Sequence, residues 1–420
     1  MTEILIAFTI LCLLVPVYVY FGYPVLLWIL TLRRPPRTHQ IAQIEPSVSL
    51  IVSCYNEAGV IREKLDNVCA LDYPSGKLEI IVVSDGSDDG TDDIVKEYAR
   101  QGVRLIRQEG RLGKTMGLNL ALEAATGEIV VFSDANAMYA ADALRMLVRN
   151  FADERVGYVV GAALYTDGSE GASAQNENLY WRYELAIKSM ESRLHSVVGG
   201  DGAIYAIRRG LWEPLQQRDI NDFVNPLQIV AKGYRGIFEP EAKCFEETAG
   251  SFDKEIARKE RIVNRSIRGL MRVKAVMNPL RAGTFAFEVI SHKLLRWLIP
   301  LFLLLGIVGS TFLAAQKLWP FQVIAMSTLA FVLLAAQGAR SPDKNGLPSW
   351  VSTPYYFVMV NSYAIRGLIK AIKGETQVTW NSARVEASVS TARSETAGLN
   401  GWWLASILLL IAGLGWGYAS

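Results

Sequence analysis

Acidic and amide side chains form three short clusters, and each cluster follows an apolar run of the sequence. The clusters are CYNE at 54–57, DGS at 85–87 and DAN at 134–136. Carboxylate and amide oxygens bind divalent cations, and they accept hydrogen bonds from nucleosides and sugars. The clusters therefore predict a ligand site, provided that the fold brings them to one place.

The runs before the clusters have the pattern of strands buried on both faces, with helical patterns between them. Continuous apolar runs lie at 48–53, 79–84, 103–107 and 128–133, and helical patterns at 58–70, 91–101 and 114–125. This alternation predicts an α/β domain with a mainly parallel sheet between Ser47 and about Phe252. Ligands bind beyond the carboxyl edge of such sheets, where all three clusters are expected.

Seven short motifs lie along the same segment. They are CYNE (54–57), VVSDGSDDGT (82–91), GKTMGLNLAL (113–122), FSDAN (132–136), GGDGAIYAIRR (199–209), INDF (220–223) and RKERI (258–262). In this order they resemble the motifs of the family 2 glycosyltransferases over about residues 48–265. That family has the GT-A fold, a Rossmann-like α/β fold that binds nucleotide sugars, and it inverts the anomeric centre. The resemblance implies the same fold and reaction class here.

The resemblance also implies a donor side of the site. Tyr55, Glu57 and Asp85 are expected to contact the nucleotide sugar. Asp134 and Asn136 match the DxD position, which holds Mg²⁺ or Mn²⁺ against the diphosphate. The amide of Asn136 replaces a carboxylate, so metal affinity should fall or depend more on phosphate ligands. A simple turn at the end of a strand is the alternative.

Two other motif assignments fail in this region. A Walker loop ending at Gly113 would need glycine at Gln108, and a calcium loop starting at Asp85 would need an acidic residue at Lys96. These departures argue against an ATPase and against an EF-hand. Lys114, at a predicted helix start, is expected to face a diphosphate, with a solvated first turn as the alternative. The other acidic residues of 88–93 are expected to shape a turn and a helix start.

The motif INDF supplies the predicted general base. Asp222 aligns with the aspartate that deprotonates the acceptor hydroxyl in the resembled family, and one carboxylate is enough for inverting transfer. Asn221 stands where the family usually has Glu, Asp219 is the reserve candidate, and a helix cap is the alternative for Asp222. Gly200 and Asp201 are expected on the acceptor side.

A stripe of arginines follows the domain. RKERI stands at the family's QxxRW position and keeps only the arginine, Arg261, which we expect to reach the diphosphate. Arg258, Arg261, Arg265, Arg268 and Arg272 fall within an arc of about 80° on a helix. The pattern predicts an amphipathic interfacial helix whose later arginines contact anionic lipid headgroups.

Four uncharged or nearly uncharged runs predict membrane spans: 4–32, 298–315, 318–339 and 402–419. Arg33, Arg34 and Arg37 follow the first run, so the positive-inside rule puts the domain in the cytoplasm. The segment 355–372 contains Asn361, Arg366 and Lys370 and is expected to lie on the membrane surface. The net charge of +2 gives no sign of a nucleic-acid partner, and the four scattered cysteines are expected to be reduced and structural.

Together these patterns predict an integral membrane protein with a cytoplasmic GT-A domain between transmembrane helices. The predicted boundaries are 1–34 (first span), 45–255 (GT-A domain), 256–296 (interfacial helices), 297–340 (two spans), 350–393 (interfacial helix and linker) and 400–420 (last span). The predicted reaction moves a sugar, with UDP as the first donor expected, to a glycan or lipid-linked acceptor for a cell-surface polysaccharide. Its partners would be membrane lipids and possible members of a polysaccharide assembly system. Alternatives are a processive synthase that exports its polymer and an inactive nucleotide-sugar-binding subunit.

Overall fold

The computed structural model describes residues 2–166, 172–247, 252–341 and 346–375, without the side chains of 165–180 and 247–259. The predicted last span at 402–419 and the part of the predicted linker from 376 to 393 lie outside the described residues. The chain begins with helix α1 (Thr2–Val17), a π-helical turn (Tyr18–Gly22) and α2 (Tyr23–Thr31). A short extended segment then leads into the sheet.

The described residues form one sheet of eight strands. The strands are β1 (Val48–Cys54), β2 (Leu78–Ser84), β3 (Val103–Arg107), β4 (Ile129–Asp134), β5 (Met138–Tyr139), β6 (Val156–Thr166), β7 (Tyr205–Arg208) and β8 (Arg235–Glu247). Their order is β3-β2-β1-β4-β7-β6-β8-β5. The four apolar runs predicted as strands are thus confirmed as β1 to β4.

The helices of this domain are α3 (Ile61–Cys69), α4 (Thr91–Glu97), α5 (Lys114–Ala124), α6 (Ala143–Val148), α7 (Ala172–Leu194) and α8 (Asn221–Ala231). The helices predicted at 58–70, 91–101 and 114–125 correspond to α3, α4 with a 3₁₀ turn, and α5. Residues of β1 are buried along its whole length, because α3 and α5 pack on opposite faces of the sheet.

The sheet is mixed, and the expectation of a mainly parallel sheet is wrong for its second half. β1 pairs in parallel with β2 and β4, and β2 with β3. β7 runs antiparallel to both β4 and β6. The reason is that β7 begins at the edge of the sheet towards which β4 and β6 run, with its first residue, Tyr205, beside Phe132 and Val160, so the strand runs back in the opposite direction. This reversal brings the segment before β7 beside the carboxyl end of β4.

Three helical segments are long and apolar enough to cross a membrane within the described residues. They are Thr2–Thr31, Thr284–Ala315 and Trp319–Arg340. The second combines α11 (Thr284–Val289), a π-helical turn (Ile290–Leu294) and α12 (Leu295–Ala315), and the third is α13 (Trp319–Arg340). Large apolar side chains such as Phe21 and Phe312 are 70% and 62% exposed, as expected of lipid-facing residues.

Small residues allow the first two membrane helices to touch. Gly306 and Gly309 of α12 lie against Leu13 and Thr9 of α1, and an added Cβ at Gly309 would overlap the Thr9 side chain. Close contact of this kind is the usual way in which membrane helices associate, since lipid offers no hydrophobic driving force.

Two further helices link the domain to the membrane helices. These are α9 (Phe252–Arg272) and α14 (Ser349–Lys373), with the short α10 (Pro279–Ala282) leading into α11. The side-chain amide of Asn264 donates to the carbonyl oxygen of Gly367 at 3.3 Å, and Lys370 forms an ion pair with Glu260 at 2.6 Å. The end of α14 is therefore fixed to α9.

Candidate active site

Lys114, Asp134 and Asp222 come together around Gly202. Lys114 forms an ion pair with Oδ1 of Asp134. A Cβ added at Gly202 would stand 3.3 Å from Nζ of Lys114, 3.5 Å from Oδ2 of Asp222 and 3.6 Å from Oδ2 of Asp134. Three residues from separate motifs of the sequence thus surround one backbone position.

Local structure explains how each of these side chains reaches the centre. Asp134 is the last residue of β4, and Lys114 is the first residue of α5, after Gly113 with a φ of 93°. Asp222 is the second residue of α8, and Ile220 holds the N-cap position. Asp222 is therefore not the helix cap that the sequence left as an alternative.

The electrostatic environment of Asp222 suits a proton acceptor. Burial raises the pKa of its carboxyl group, and the negative charges of Asp201 and Asp134 add to this effect. Lys114 acts in the opposite direction, so the carboxylate still gains from a nearby cation. A raised pKa makes the carboxylate a stronger base than an exposed aspartate.

The expected acceptor-side residues lie next to this centre. The backbone N–H of Gly200 donates to the carbonyl oxygen of Asp222. Asp201 forms an ion pair with Lys188 of α7 at 3.1 Å, and the Asp201 side chain is 13% exposed. Asp201 is thus held in place by a second lysine, while its charge acts on Asp222.

Asp85 is buried and organises the loop before Lys114. Its Oδ1 accepts hydrogen bonds from the backbone N–H groups of Leu112 and Gly113 at 3.0 and 2.9 Å, and from the side chain of Gln108. Burial raises the pKa of its carboxyl group although these donors act against the shift. A nucleotide that binds Asp85 would therefore contact a carboxylate that already accepts hydrogen bonds from this loop.

Tyr55 and Glu57 lie on the neighbouring turn after β1. The guanidinium group of Arg111 stacks on the Tyr55 ring at 3.9 Å from its centre. The backbone N–H of Glu57 donates to Thr91 Oγ1 at 2.9 Å, so this residue ties its turn to the start of α4. Arg111 also contributes to the electrostatic environment of Asp85. Arg111 therefore connects the turn after β1 with the loop that Asp85 organises.

Asp134 and Asn136, the two residues predicted to bind a metal ion, offer one carboxylate and one amide. Among the described residues, no group of three or more His, Cys, Asp or Glu side chains could hold a metal ion. The Asp134 side chain is 36% exposed and offers its second oxygen beside Gly202. One carboxylate and one amide fit a Mg²⁺-type site in which substrate phosphates complete the coordination. These residues are thus suited to a metal that arrives with a diphosphate.

Helix α9 differs from the prediction of lipid-facing arginines. Arg265 is only 8% exposed, and Arg272 forms an ion pair with Asp219 at 3.0 Å. The expectation that these later arginines contact headgroups is therefore wrong, because their guanidinium groups bind the loop before α8. Asp219, the reserve candidate for the base, is 2% exposed and paired with Arg272. Burial lowers the pKa of Arg265 to about 10, and the charge of Arg261, one turn earlier on the helix, adds to this effect.

Sequence reasoning missed two buried lysines near the centre. Lys64 of α3 is fully buried, donates to the carbonyl oxygen of Ala137 and lies over the Tyr139 ring. Burial lowers the pKa of Lys64 to about 7. Lys188 lies on α7, 13 residues before its partner Asp201. Each sits within a helical pattern that reads as an ordinary amphipathic face, so no sequence signal marked them.

Comparison with known proteins identifies the family and the fold of the domain. The family model "Glycosyl transferase family 2" matches residues 49–213. This segment is a family 2 glycosyl transferase domain. It contains Lys114, Asp134 and Gly202, whereas Asp222 and α9 lie beyond it. The predicted GT-A fold is confirmed by a solved relative, a mannosyltransferase from Pyrobaculum calidifontis in complex with GDP-Man and Mn²⁺.

That mannosyltransferase is 25% identical to this chain with a TM-score of 0.65, over 88% of this chain and 99% of the other. A beta-monoglucosyldiacylglycerol synthase from Trichormus variabilis is 30% identical over 38% of this chain and 34% of the relative. A poly-beta-1,6-N-acetyl-D-glucosamine synthase from Staphylococcus aureus is 27% identical over 50% of this chain and 53% of the relative. The chain thus spans between about a third and a half of these two curated relatives. The glycosyl transferase domain and its flanking apolar helices are consistent with a membrane-bound glycosyltransferase.

Proposed function

We propose that this protein transfers a sugar from a nucleoside diphosphate sugar to a glycan or lipid-linked acceptor, with inversion at the anomeric carbon. The observation that carries the proposal is the convergence of Lys114, Asp134 and Asp222 around Gly202. A single displacement needs a cation and a carboxylate that can bind a metal ion for the leaving diphosphate, and a second carboxylate that can accept the proton of the acceptor.

The proposed chemistry assigns each group one task. Asp222 takes the proton of the acceptor hydroxyl, and the hydroxyl oxygen forms a bond to the anomeric carbon. The bond between that carbon and the diphosphate oxygen breaks, and the electron pair leaves with the nucleoside diphosphate. Lys114 and Arg261 offset the charge of the leaving diphosphate.

A divalent metal, Mg²⁺ or Mn²⁺, would supply further neutralisation of the diphosphate when bound at Asp134 and Asn136. Support comes from the solved mannosyltransferase, which contains Mn²⁺ with its GDP-Man. Because this chain offers one carboxylate and one amide, we expect metal binding that depends on the nucleotide. A UDP-sugar and a GDP-sugar are the first donor classes to test.

The proposed location of the reaction is the cytoplasmic membrane face. Arg34 donates to the carbonyl oxygen of Leu194 at 2.7 Å, and Arg37 pairs with Glu241 at 2.9 Å. The basic residues that follow the first span therefore contact the domain, so the domain lies on the same side of the membrane as they do. The positive-inside rule makes that side the cytoplasm. Lipid-linked acceptors and possible assembly partners would meet the domain there.

The experiment is a donor screen with the purified full chain in lipid nanodiscs. UDP- and GDP-sugars are supplied with Mn²⁺ and a lipid extract, and release of nucleoside diphosphate is measured. Turnover with one donor that stops on chelation supports the proposal. Nucleotide binding without release would instead favour an inactive binding subunit. Product length on a gel separates single transfer from the processive synthesis that the name of the Staphylococcus aureus relative suggests.

A further inference from the structure

Arg265 of α9 is a buried cation surrounded by neutral acceptors. Its Nε donates to the carbonyl oxygen of Arg218 at 3.1 Å, and its Nη2 to the carbonyl oxygen of Gln217 at 3.2 Å. Nη2 also donates to the carbonyl oxygen of Asp219 and to Thr115 Oγ1 at 3.2 Å. Burying a charge is costly unless its donors are satisfied, so this site is built for a guanidinium group.

These contacts join the two segments that carry the catalytic charges. The carbonyl groups belong to residues 217–219, which lead directly into α8 and Asp222. Thr115 follows Lys114 in the first turn of α5. Thr115 also donates from its own hydroxyl to the carbonyl oxygen of Asp219 at 2.8 Å, which closes the network.

The same loop has a second attachment to α9. Oδ2 of Asp219 accepts the backbone N–H of Gln216 at 2.7 Å and pairs with Arg272 of α9. Helix α9 is itself anchored to α14 through Asn264 and Gly367. The loop before the base is thus attached to a helix that is fixed beside the membrane helices.

We propose that Arg265 is a positioning residue that sets the place of Asp222 relative to Lys114. It acts by binding the carbonyl groups of 217–219 and the hydroxyl group of Thr115 at once. Lysine cannot reproduce all of these contacts, because its single ammonium nitrogen can take the place of Nη2 but leaves the carbonyl oxygen of Arg218, which binds Nε, without a donor. The effect of Arg265 on catalysis rests on the proposed function, whereas its contacts with the loop and with Thr115 are independent of that function.

The test compares Arg265→Lys and Arg265→Met in the purified full chain with Arg268→Lys and Arg268→Met on the same helix. Arg268 reaches the carbonyl oxygen of Glu375 at 3.5 Å and takes no part in the network. We expect both Arg265 variants to lose about 10- to 100-fold in kcat, the cost of a misplaced catalytic group, with the donor KM within about three-fold. The Arg268 variants should keep the kcat of the wild type.

Hydrogen exchange gives a readout that does not require turnover. We expect faster amide exchange in 214–222 and at the start of α5 in Arg265→Lys, with unchanged exchange in β1 and β4. Thr115→Val should produce a smaller change of the same kind that does not add to that of Arg265→Lys. If Arg265→Met does not fold, these two variants carry the test.

Failure of the proposed function and failure of the positioning role give different results. A wild-type chain that releases no nucleoside diphosphate from any donor would overturn the proposed function, while the exchange result still tests the role of Arg265. Wild-type kcat and unchanged exchange in Arg265→Lys would overturn the positioning role. Faster exchange throughout the domain would also overturn it, because that pattern indicates a general contribution to folding.

Discussion

Replacing Gly202 by alanine adds one methyl group at the point where Lys114, Asp134 and Asp222 meet. The added Cβ would stand 3.3 Å from Nζ of Lys114, and 3.5 and 3.6 Å from the carboxylate oxygens of Asp222 and Asp134. The two carboxylate distances are ordinary contacts, so only the mobile end of Lys114 must move, by a few tenths of an ångström. The backbone at Gly202 has no positive φ that would exclude a side chain.

These distances separate the effect on folding from the effect on catalysis. A glycine-to-alanine change at a compatible position alters the free energy of unfolding by about 0.4–1 kcal/mol or less. The methyl group, however, fills space between the cation, the metal-type carboxylate and the base, where the diphosphate and the acceptor hydroxyl must approach. Because a displacement of about 1 Å can cost roughly 100-fold in rate, we expect Gly202→Ala to lose at least about 10-fold in kcat/KM.

The assay is release of nucleoside diphosphate at limiting donor, with a thermal melt of each sample. Gly210→Ala is the matched control, since nothing lies within 4 Å of a Cβ added there. Both variants should melt close to the wild type, and only Gly202→Ala should lose activity. A folded Gly202→Ala protein with wild-type kcat/KM would refute the placement of the reaction at this point.

Four further outcomes follow from the same contacts. Asp222→Asn should lower kcat by about 10²- to 10⁴-fold while calorimetry shows unchanged binding of nucleoside diphosphate, and full activity would contradict the base assignment. Burial raises the pKa of Asp222 above the ordinary aspartate value of 3.8, and the base must be deprotonated to act. In a pH profile, kcat/KM should therefore fall on the acid side with an apparent pKa above 3.8, and an apparent pKa at or below 3.8 would contradict this. Asn136→Asp should lower the Mn²⁺ concentration that half-saturates activity, because a second carboxylate adds charge, and an unchanged value would argue against metal binding there. Gly236→Ala would overlap the buried Tyr158 ring and should destabilise the fold by about 1–3 kcal/mol in a denaturation experiment, unlike Gly210→Ala.

The first half of the sheet could be predicted because its strands carry their own signal. Strands β1, β2 and β4 are apolar runs buried between helices on the two faces of the sheet, whereas β3 is an edge strand with Arg104 and Arg107 exposed. The antiparallel β7 is short and begins after the small residues of GGDG, so its pairing depends on the path of the chain through α7. That path is set by tertiary packing, which no local pattern records.

In the candidate site, too, some residues could be predicted from the sequence and others could not. The motifs gave Lys114, Asp134 and Asp222, because each of them stands at the end of a recognisable element. Gly202 is important for the space it leaves, and space is a property of the assembled site. Arg265 was misassigned because an arginine stripe on an amphipathic helix fits a lipid surface as well as it fits a loop of carbonyl groups.

The central claim is that one nucleotide sugar binds between Lys114, Asp134 and Asp222. The most direct test is a structure of the full chain with the accepted donor and Mn²⁺. We expect the diphosphate within about 3 Å of Nζ of Lys114 and the anomeric carbon facing the carboxylate of Asp222. A donor bound elsewhere, with its anomeric carbon turned away from Asp222, would show that these three residues do not form the site of sugar transfer.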